Sequence, residues 1–243
     1  MRTRLLLLPL LAALALSTLA GCSKDDPPEP VRGSTTVTVD GQDVAAIVRS
    51  PQSAAAVNGK PVTILFLHGQ SYTSRIWFDQ GILEKVADES GFRAVAIDLP
   101  GYGETPERDD QDTSDAAWLG DLIDELGGPE QVVVVSPSMS GDYSLSYLMV
   151  HPDAKLLGFV PVAPVGIDDF LRPEDAAPIP AVSIWGSEDP SYTAARAKHL
   201  LTQLRGGDED STEIMEGASH ACYEDQPVEF TELVVAFLAT LTR

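Results

Sequence analysis

A run of four consecutive valines at residues 132–135 is the feature that most constrains the fold of this chain. β-Branched residues favour strands, and a strand without polar alternation belongs inside a sheet that is covered on both faces. The run ends in the segment Ser-Pro-Ser-Met-Ser-Gly at residues 136–141, and residues 140–149 have helical spacing. The sequence therefore predicts a buried strand, a sharp turn with Ser138 at its tip, and a helix.

A serine on such a turn is the expected position of a nucleophile. Small neighbours let the strand and the helix approach closely while the hydroxyl projects out of the sheet. The usual pattern is Gly-x-Ser-x-Gly, whereas Ser136 and Ser140 flank Ser138 here. Serine is small enough to fit, although it tolerates the required backbone less readily than glycine. Taken alone, the segment is equally consistent with a serine-rich loop that has no chemistry.

Two later segments supply an acid and a base in the chain order Ser, Asp, His that accompanies such a turn. Residues 181–185 predict a buried strand that ends at Gly186 and places Asp189 at its carboxyl end. Residues 212–215 predict a last strand, and His220 lies in the loop that follows. His220 is expected to remove the serine proton, and Asp189 to fix the imidazole tautomer and stabilise the imidazolium.

Stabilisation of the oxyanion that develops during such a reaction requires two backbone N–H donors. Met139, directly after the serine, is expected to supply the first donor. Gln70 is expected to supply the second, because His68-Gly69-Gln70 follows a predicted strand and matches the H-G-x beginning of an oxyanion loop. We interpret His68 as a brace of this loop and not as a second base or a metal ligand. His151 and His199 lie in or beside predicted helices and are expected at the surface.

Strands and helices alternate along the chain, which predicts one α/β domain. Its eight strands are expected at residues 35–39, 44–48, 62–67, 94–98, 131–135, 158–163, 181–185 and 212–215, and its helices at 76–89, 115–126, 140–149, 193–204 and 228–241. Parallel strands with helical crossovers bury the sheet and gather the candidate residues at its carboxyl edge. The segment between Ala163 and Pro180 is too short for a closed lid, so we expect a minimal cap and an open pocket suited to small acyl groups.

Six segments together resemble the alpha/beta-hydrolase domain-containing protein 14 family, also described as CIB-type. They are residues 65–77, 93–101, 136–141, 158–164, 186–190 and 217–223. The resemblance covers nearly everything from Val62 to the C-terminus, and the Ser-Pro-Ser-x-Ser-Gly turn is its most distinctive part. It implies the α/β-hydrolase fold and carries Ser138, Asp189 and His220 over as nucleophile, acid and base. It also implies hydrolysis of small acyl esters and, for animal members, deacetylation of lysine with coenzyme A as acceptor.

The N-terminal segment has the features of a secretory signal peptide. Two arginines lie among the first four residues, and residues 5–16 form an apolar run too short to span a bilayer. The segment Leu-Ala-Gly-Cys at residues 19–22 matches a bacterial lipobox, in which the cysteine receives a diacylglyceryl group and becomes the mature N-terminus. We therefore expect a lipoprotein signal peptide at residues 1–21 and lipidation of Cys22; an ordinary signal peptide cleaved nearby is the alternative.

Residues 22–33 then comprise the lipidated cysteine and a flexible, proline-rich tether, and residues 34–243 form the hydrolase domain. The two or three acyl chains of a lipoprotein would anchor the domain to a membrane on the extracytoplasmic side, at the cell surface or in the periplasm. Because coenzyme A is a cytosolic metabolite, an exported enzyme is expected to use water as its acyl acceptor. Hydrolysis is therefore preferred over acyl transfer.

The charge and the cysteine content exclude several classes of protein. The chain has 16 Lys and Arg residues against 37 Asp and Glu, a net charge of −21, which repels nucleic acid and anionic lipid. The acidic segments 104–115 and 208–210 match no metal-ligand spacing and are interpreted as solvated loops. Cys22 and Cys222 are the only cysteines, so no disulfide framework is expected once Cys22 carries lipid. Cys222 is expected to contribute packing.

These patterns together predict an exported, membrane-anchored serine hydrolase that cleaves small acyl esters or acyl amides through an acyl-enzyme. The protein is expected to be a monomer without a cofactor or a metal ion, and to bind no nucleic acid. Three alternatives remain open. One is a surface binding lipoprotein that has lost the chemistry, another is a cofactor-free haloperoxidase or perhydrolase with the same three residues, and the third is an acyltransferase.

Overall fold

The computed structural model describes residues 33–108, 113–205 and 211–242. The predicted signal peptide, the lipidation site Cys22 and all but the last residue of the predicted tether lie outside the described residues. Within them, no helix is long and apolar enough to cross a membrane.

The described chain begins with strands, and helices lie between most of the later strands. The strands are β1 (Ser34–Val39), β2 (Gln42–Arg49), β3 (Ala56–Val57), β4 (Lys60–Pro61), β5 (Thr63–Phe66), β6 (Arg93–Ile97), β7 (Val132–Pro137), β8 (Gly158–Val162), β9 (Ser183–Gly186) and β10 (Thr212–Met215). The helices are α1 (Arg75–Asp79), α2 (Ile82–Ser90), α3 (Asp115–Glu125), α4 (Gly141–Val150), α5 (Ala194–Arg205), α6 (Cys222–Asp225) and α7 (Pro227–Thr240). Short 3-10 turns occupy Pro129–Gln131, Ser138–Ser140 and Ile167–Asp169.

Eight of the strands form one sheet in the order β1-β2-β6-β5-β7-β8-β9-β10. β2 is antiparallel to both of its neighbours, and the remaining pairs are parallel. The described residues therefore confirm the predicted α/β-hydrolase fold with an eight-stranded, mostly parallel sheet. The carboxyl ends of β5, β7, β9 and β10 lie at one edge, where the loops bearing the candidate residues begin.

The valine run of β7 lies at the centre of this sheet and is buried on both faces. Val132 and Val134 pack into the hydrophobic cluster that includes α3, α4 and α5, with Trp118 among its largest side chains. Val133 and Val135 point to the opposite cluster, formed with α1, α2 and α7. Because successive side chains of a strand alternate between faces, a strand covered by helices on both sides must be apolar throughout.

Three local features differ from the sequence expectation. The helix predicted at residues 76–89 is two helices, because Gly81 adopts a left-handed φ of 70° between α1 and α2. The hairpin of β3 and β4, which turns at Asn58 and Gly59, was not expected, since each strand has only two residues. The short helix α6 was likewise not expected before α7.

Residues 163–182 connect β8 to β9 and correspond to the predicted minimal cap. Their helical content is the 3-10 turn Ile167–Asp169. One face of α5 holds this cap segment in place: Arg196 Nε donates to the Asp168 carboxylate at 3.1 Å, and His199 Nε2 donates to the Phe170 carbonyl at 2.8 Å. These two hydrogen bonds hold the cap segment against α5.

The buried side chain of Arg172 holds the middle of the cap segment in place. It donates to the carbonyl oxygens of Pro152, Ala177 and Gln203 at 2.8–3.2 Å. Burial lowers the pKa of the guanidinium from its usual value. The Gln203 carbonyl lies in the last turn of α5, where the helix dipole favours a cation.

Candidate active site

Ser138 lies at the tip of the turn between β7 and α4 and has a φ of 49°. A left-handed backbone costs a non-glycine residue on the order of 1–3 kcal/mol, and such strain clusters at functional sites. The Val165 N–H donates to the Ser138 carbonyl at 3.0 Å. A Cβ atom on Gly141 would lie 2.5 Å from the Val165 carbonyl oxygen, so only glycine allows this close approach.

The structure brings Ser138, His220 and Asp189 together, although they are distant in the sequence. The Ser138 Oγ lies 2.9 Å from His220 Nε2, and His220 Nδ1 lies 2.7 Å from Asp189 Oδ2. A carboxylate can only accept, so Nδ1 carries the imidazole proton and Nε2 accepts from the serine hydroxyl. This arrangement orients the imidazole to take the serine proton.

A hydrogen bond to the other carboxylate oxygen of Asp189 holds its side chain in position. The Ser191 N–H donates to Asp189 Oδ1 at 2.8 Å, and the carboxylate is only 1% exposed. Burial alone would raise the pKa of Asp189, but the hydrogen bonds from His220 and Ser191 outweigh it and lower the pKa below its usual value. The carboxylate therefore stays ionised, as stabilisation of an imidazolium requires.

The His220 loop approaches β9 closely because Gly186 has no side chain. A Cβ atom there would lie 2.1 Å from the Ser219 carbonyl oxygen. Asp225, in α6, accepts hydrogen bonds from the Ser219 N–H at 2.7 Å and the Ser219 hydroxyl at 2.6 Å. These two bonds lower the pKa of Asp225, so its carboxylate secures the residue that precedes His220.

The loop after β5 lies against Ser138. A Cβ atom on Gly69 would be 3.6 Å from the Ser138 Cβ and 3.3 Å from the Tyr223 hydroxyl. His68 is fully buried; its Nδ1 donates to the Gly69 carbonyl at 2.9 Å, and its Nε2 accepts from the Leu99 N–H at 3.0 Å. Burial lowers the pKa of His68, which favours the neutral form that can make both bonds. His68 thus braces the loop backbone, as expected.

The two predicted oxyanion donors are the chain neighbours of Gly69 and Ser138. Gln70 directly follows Gly69 and is exposed, and Met139 directly follows Ser138 and is half-buried. The Tyr102 hydroxyl donates to the Met139 sulfur at 3.0 Å, which restrains the side chain next to Ser138. The assignment of the two N–H groups as oxyanion donors stays a prediction.

The remaining cysteine and histidines that the sequence analysis discussed are not hydrogen-bonded to Ser138, His220 or Asp189 among the described residues. Cys222 is fully buried, and burial raises the pKa of its thiol to about 12, which suits the expected packing role. His151 is exposed and packs against Tyr147, whereas His199 is half-buried under the cap segment, contrary to its expected surface position. In the part of the chain that the structure describes, no group of three or more His, Cys, Asp or Glu side chains is placed to hold a metal ion.

Sequence reasoning missed several residues that support the site. Tyr72, on the loop after Gly69, donates a short hydrogen bond to the Glu224 carboxylate in α6. This bond joins the loop after β5 to α6, which begins two residues after His220. Nothing in the sequence relates two residues 152 positions apart. Ser144 was also missed, although its spacing of four residues from Ser140 in a predicted helix was a visible signal.

Known proteins resemble this chain in sequence and in fold. Residues 64–141 match the model of the Alpha/beta hydrolase family. The chain is 35% identical over 214 residues to a protein of Rattus norvegicus named "Putative protein-lysine deacylase ABHD14B", a match that covers 85% of this chain and 95% of the relative. This chain belongs to the ABHD14 family.

A second sequence relative and a solved structure also resemble this chain. It is 39% identical over 182 residues to Protein ABHD14A of Danio rerio, covering 73% of this chain and 64% of that relative, so it spans less than two thirds of the ABHD14A length. Its fold is similar to the crystal structure of a predicted CIB-like hydrolase from Thermoplasma acidophilum, with a TM-score of 0.66 and 24% identity. That match covers 85% of this chain and 97% of the other. The protein is therefore an α/β-hydrolase.

Proposed function

We propose that this protein is a serine hydrolase that cleaves small acyl esters or acyl amides, with Ser138 as nucleophile, His220 as base and Asp189 as the acid that orients it. The observation that carries the proposal is the continuous pair of hydrogen bonds from Ser138 to His220 and from His220 to Asp189. The backbone strain at Ser138 also supports the proposal, because non-glycine residues with a left-handed φ cluster at functional sites.

In the proposed reaction, the Ser138 oxygen attacks the acyl carbon while His220 Nε2 accepts the hydroxyl proton. The tetrahedral oxyanion is stabilised by the N–H groups of Gln70 and Met139. The carbonyl then re-forms as the alcohol or amine leaves with the proton from His220. Water, deprotonated by the same imidazole, then attacks the acyl carbon. The bond to the Ser138 oxygen breaks, His220 returns the proton to that oxygen, and the carboxylic acid is released.

The acyl group is proposed to be small because the cap segment is short and fastened to α5. An acyl amide is a second candidate substrate. The ABHD14B relative is named for lysine deacylation, and the same three residues serve amide as well as ester cleavage.

Labelling with a fluorophosphonate probe, followed by peptide mapping, tests the proposed nucleophile. The expected result is one adduct on Ser138, because only a serine with an adjacent base reacts with such a probe at a useful rate. An adduct on another serine would move the site. A folded protein that forms no adduct would contradict the proposed hydrolase mechanism.

A series of p-nitrophenyl esters from acetyl to palmitoyl tests the proposed substrate class. We expect kcat/KM to be highest for acetyl or butyryl esters and to fall by at least about tenfold at palmitoyl, since a long chain would find little apolar cover. Each ester is compared below its aggregation concentration, and the hydrolysis rate without protein is subtracted. A rise in kcat/KM with chain length would exclude a small-acyl pocket.

We also propose that the enzyme is exported and anchored through Cys22 on the extracytoplasmic side of a membrane. The support is the basic, apolar and small-residue sequence that ends at Cys22. Labelled palmitate is expected to be incorporated into the wild-type protein in a bacterial host and to be absent from Cys22→Ser. Cys222→Ser is the matched control and should retain both the label and membrane association. Equal labelling of Cys22→Ser would contradict the anchor.

A further inference from the structure

Three serine hydroxyls meet beneath the turn that presents Ser138. They belong to Ser136 near the end of β7, Ser140 at the end of the turn and Ser144 one helical turn into α4. All three are buried, at 0–2% exposure. The Ser136 Oγ lies 3.0 Å from the Ser140 Oγ and 2.7 Å from the Ser144 Oγ. The Ser140 hydroxyl also donates to the Pro137 carbonyl at 2.8 Å.

The hydrogen bonds among these serines have one direction. The Pro137 carbonyl has no proton to give, so the single hydroxyl proton of Ser140 is committed to it. Ser140 must then accept from Ser136. Because that bond uses the Ser136 proton, Ser136 must accept from Ser144. The proton chain therefore runs from Ser144 through Ser136 and Ser140 to Pro137.

The last bond of the chain spans the tip of the turn. Pro137 and Ser140 lie on either side of Ser138, so the bond from the Ser140 hydroxyl closes the backbone around the strained residue. The Pro137 carbonyl belongs to the peptide bond that enters Ser138. Rotation of this peptide would change the Ser138 φ of 49° and move its hydroxyl away from His220 Nε2, now 2.9 Å distant. Flanking glycines, the usual residues here, have no side chain with which to restrain this peptide.

We propose that Ser140, Ser136 and Ser144 form a positioning chain that holds the Ser138 hydroxyl in line with His220, with Ser140 making the decisive contact. The proposal rests on Ser138 being the nucleophile. None of the three hydroxyls is required to touch the substrate. They act through the backbone of the turn. The effect of each hydroxyl on Ser138 decreases with the number of hydrogen bonds that separate it from Pro137.

The saturating rate of fluorophosphonate inactivation tests the graded order on the full-length protein. Ser140→Ala is expected to lower this rate by about 10- to 100-fold, because small displacements of a nucleophile have large effects. Ser136→Ala leaves the Ser140 bond to Pro137 intact and should lower it several-fold. Ser144→Ala, which removes only the first donor, should change the rate less than about threefold. Should Ser140→Ala fail to fold, Ser140→Cys, with a similar shape and a weaker donor, replaces it.

The double variant Ser136→Ala/Ser140→Ala should react no more slowly than Ser140→Ala, because in this proposal Ser136 acts on the turn only through Ser140. The matched control is Ser183→Ala. Ser183 is equally buried and donates to the Thr212 hydroxyl, so its loss should lower Tm without changing the inactivation rate well below Tm.

Two failures are distinguishable. A folded wild-type protein that is not labelled would overturn the proposed nucleophile. Wild-type labelling together with unchanged rates in Ser140→Ala and Ser136→Ala would overturn the positioning chain alone. Equal rate losses in all three single variants would also overturn it, since they would indicate general loosening of the turn without direction.

Discussion

Replacing His220 with alanine is expected to lower kcat for a small acyl ester by about 10⁶-fold, because an isolated serine hydroxyl is a poor nucleophile at neutral pH. In the structure the imidazole is the only group hydrogen-bonded to the Ser138 hydroxyl among the described residues. In the proposed mechanism, its loss removes both the acceptor of the serine proton and the donor that protonates the leaving group. KM should change much less, since the imidazole contributes little to binding of the acyl group.

Added imidazole should partly restore the His220→Ala variant. The His220 side chain is 43% exposed, so a small base from solution can reach the space that it leaves. His151→Ala is the matched control, since His151 is exposed and packs on Tyr147; its kcat should equal that of the wild type. A His220→Ala variant that retains more than about 1% of the wild-type kcat would mean that another group acts as base.

The substitution Asp189→Asn is expected to lower kcat by about 10⁴-fold while leaving the fold intact. The Ser191 N–H needs an acceptor, so the single amide oxygen of asparagine would turn toward it. The amide NH₂ would then face His220 and donate to Nδ1. The imidazole would be forced to carry its proton on Nε2, where it cannot accept from Ser138.

Measurement of kcat together with Tm separates this tautomer effect from a loss of structure. Tm of Asp189→Asn should stay close to the wild-type value, because a neutral amide is easier to bury than a carboxylate. Asp79→Asn is the control, since Asp79 is half-exposed and pairs only with Arg75 among the described ion pairs. A kcat for Asp189→Asn within about tenfold of the wild type would show that the carboxylate does not set the tautomer.

The fold, and the placement of Ser138, Asp189 and His220 near one another, could be predicted because both follow from short sequence patterns. The valine run requires a strand covered on both faces, and Gly186 marks the end of another strand next to Asp189. The order of Ser138, Asp189 and His220 along the chain then brings them to one edge of a parallel sheet. Each of these inferences uses only the sequence within a few residues or the order of segments.

The parts that could not be predicted depend on contacts between distant segments or on single backbone angles. Nothing near Gly81 distinguishes a left-handed break from a glycine tolerated within a helix. The bond between Tyr72 and Glu224 exists only after α6 has packed beside the loop that follows β5. The half-buried position of His199 likewise depends on the cap segment that lies across α5.

The fastened cap segment also bears on how this hydrolase meets its substrate. Lids that must open expose apolar surface and make an enzyme sensitive to lipid–water interfaces. Here Asp168 and Phe170 are held by side chains of α5, and Arg172 is held by three backbone carbonyls. Ser138 is partly exposed with the cap segment held in this position. We therefore expect turnover to follow the concentration of dissolved monomeric substrate and to show no interfacial activation.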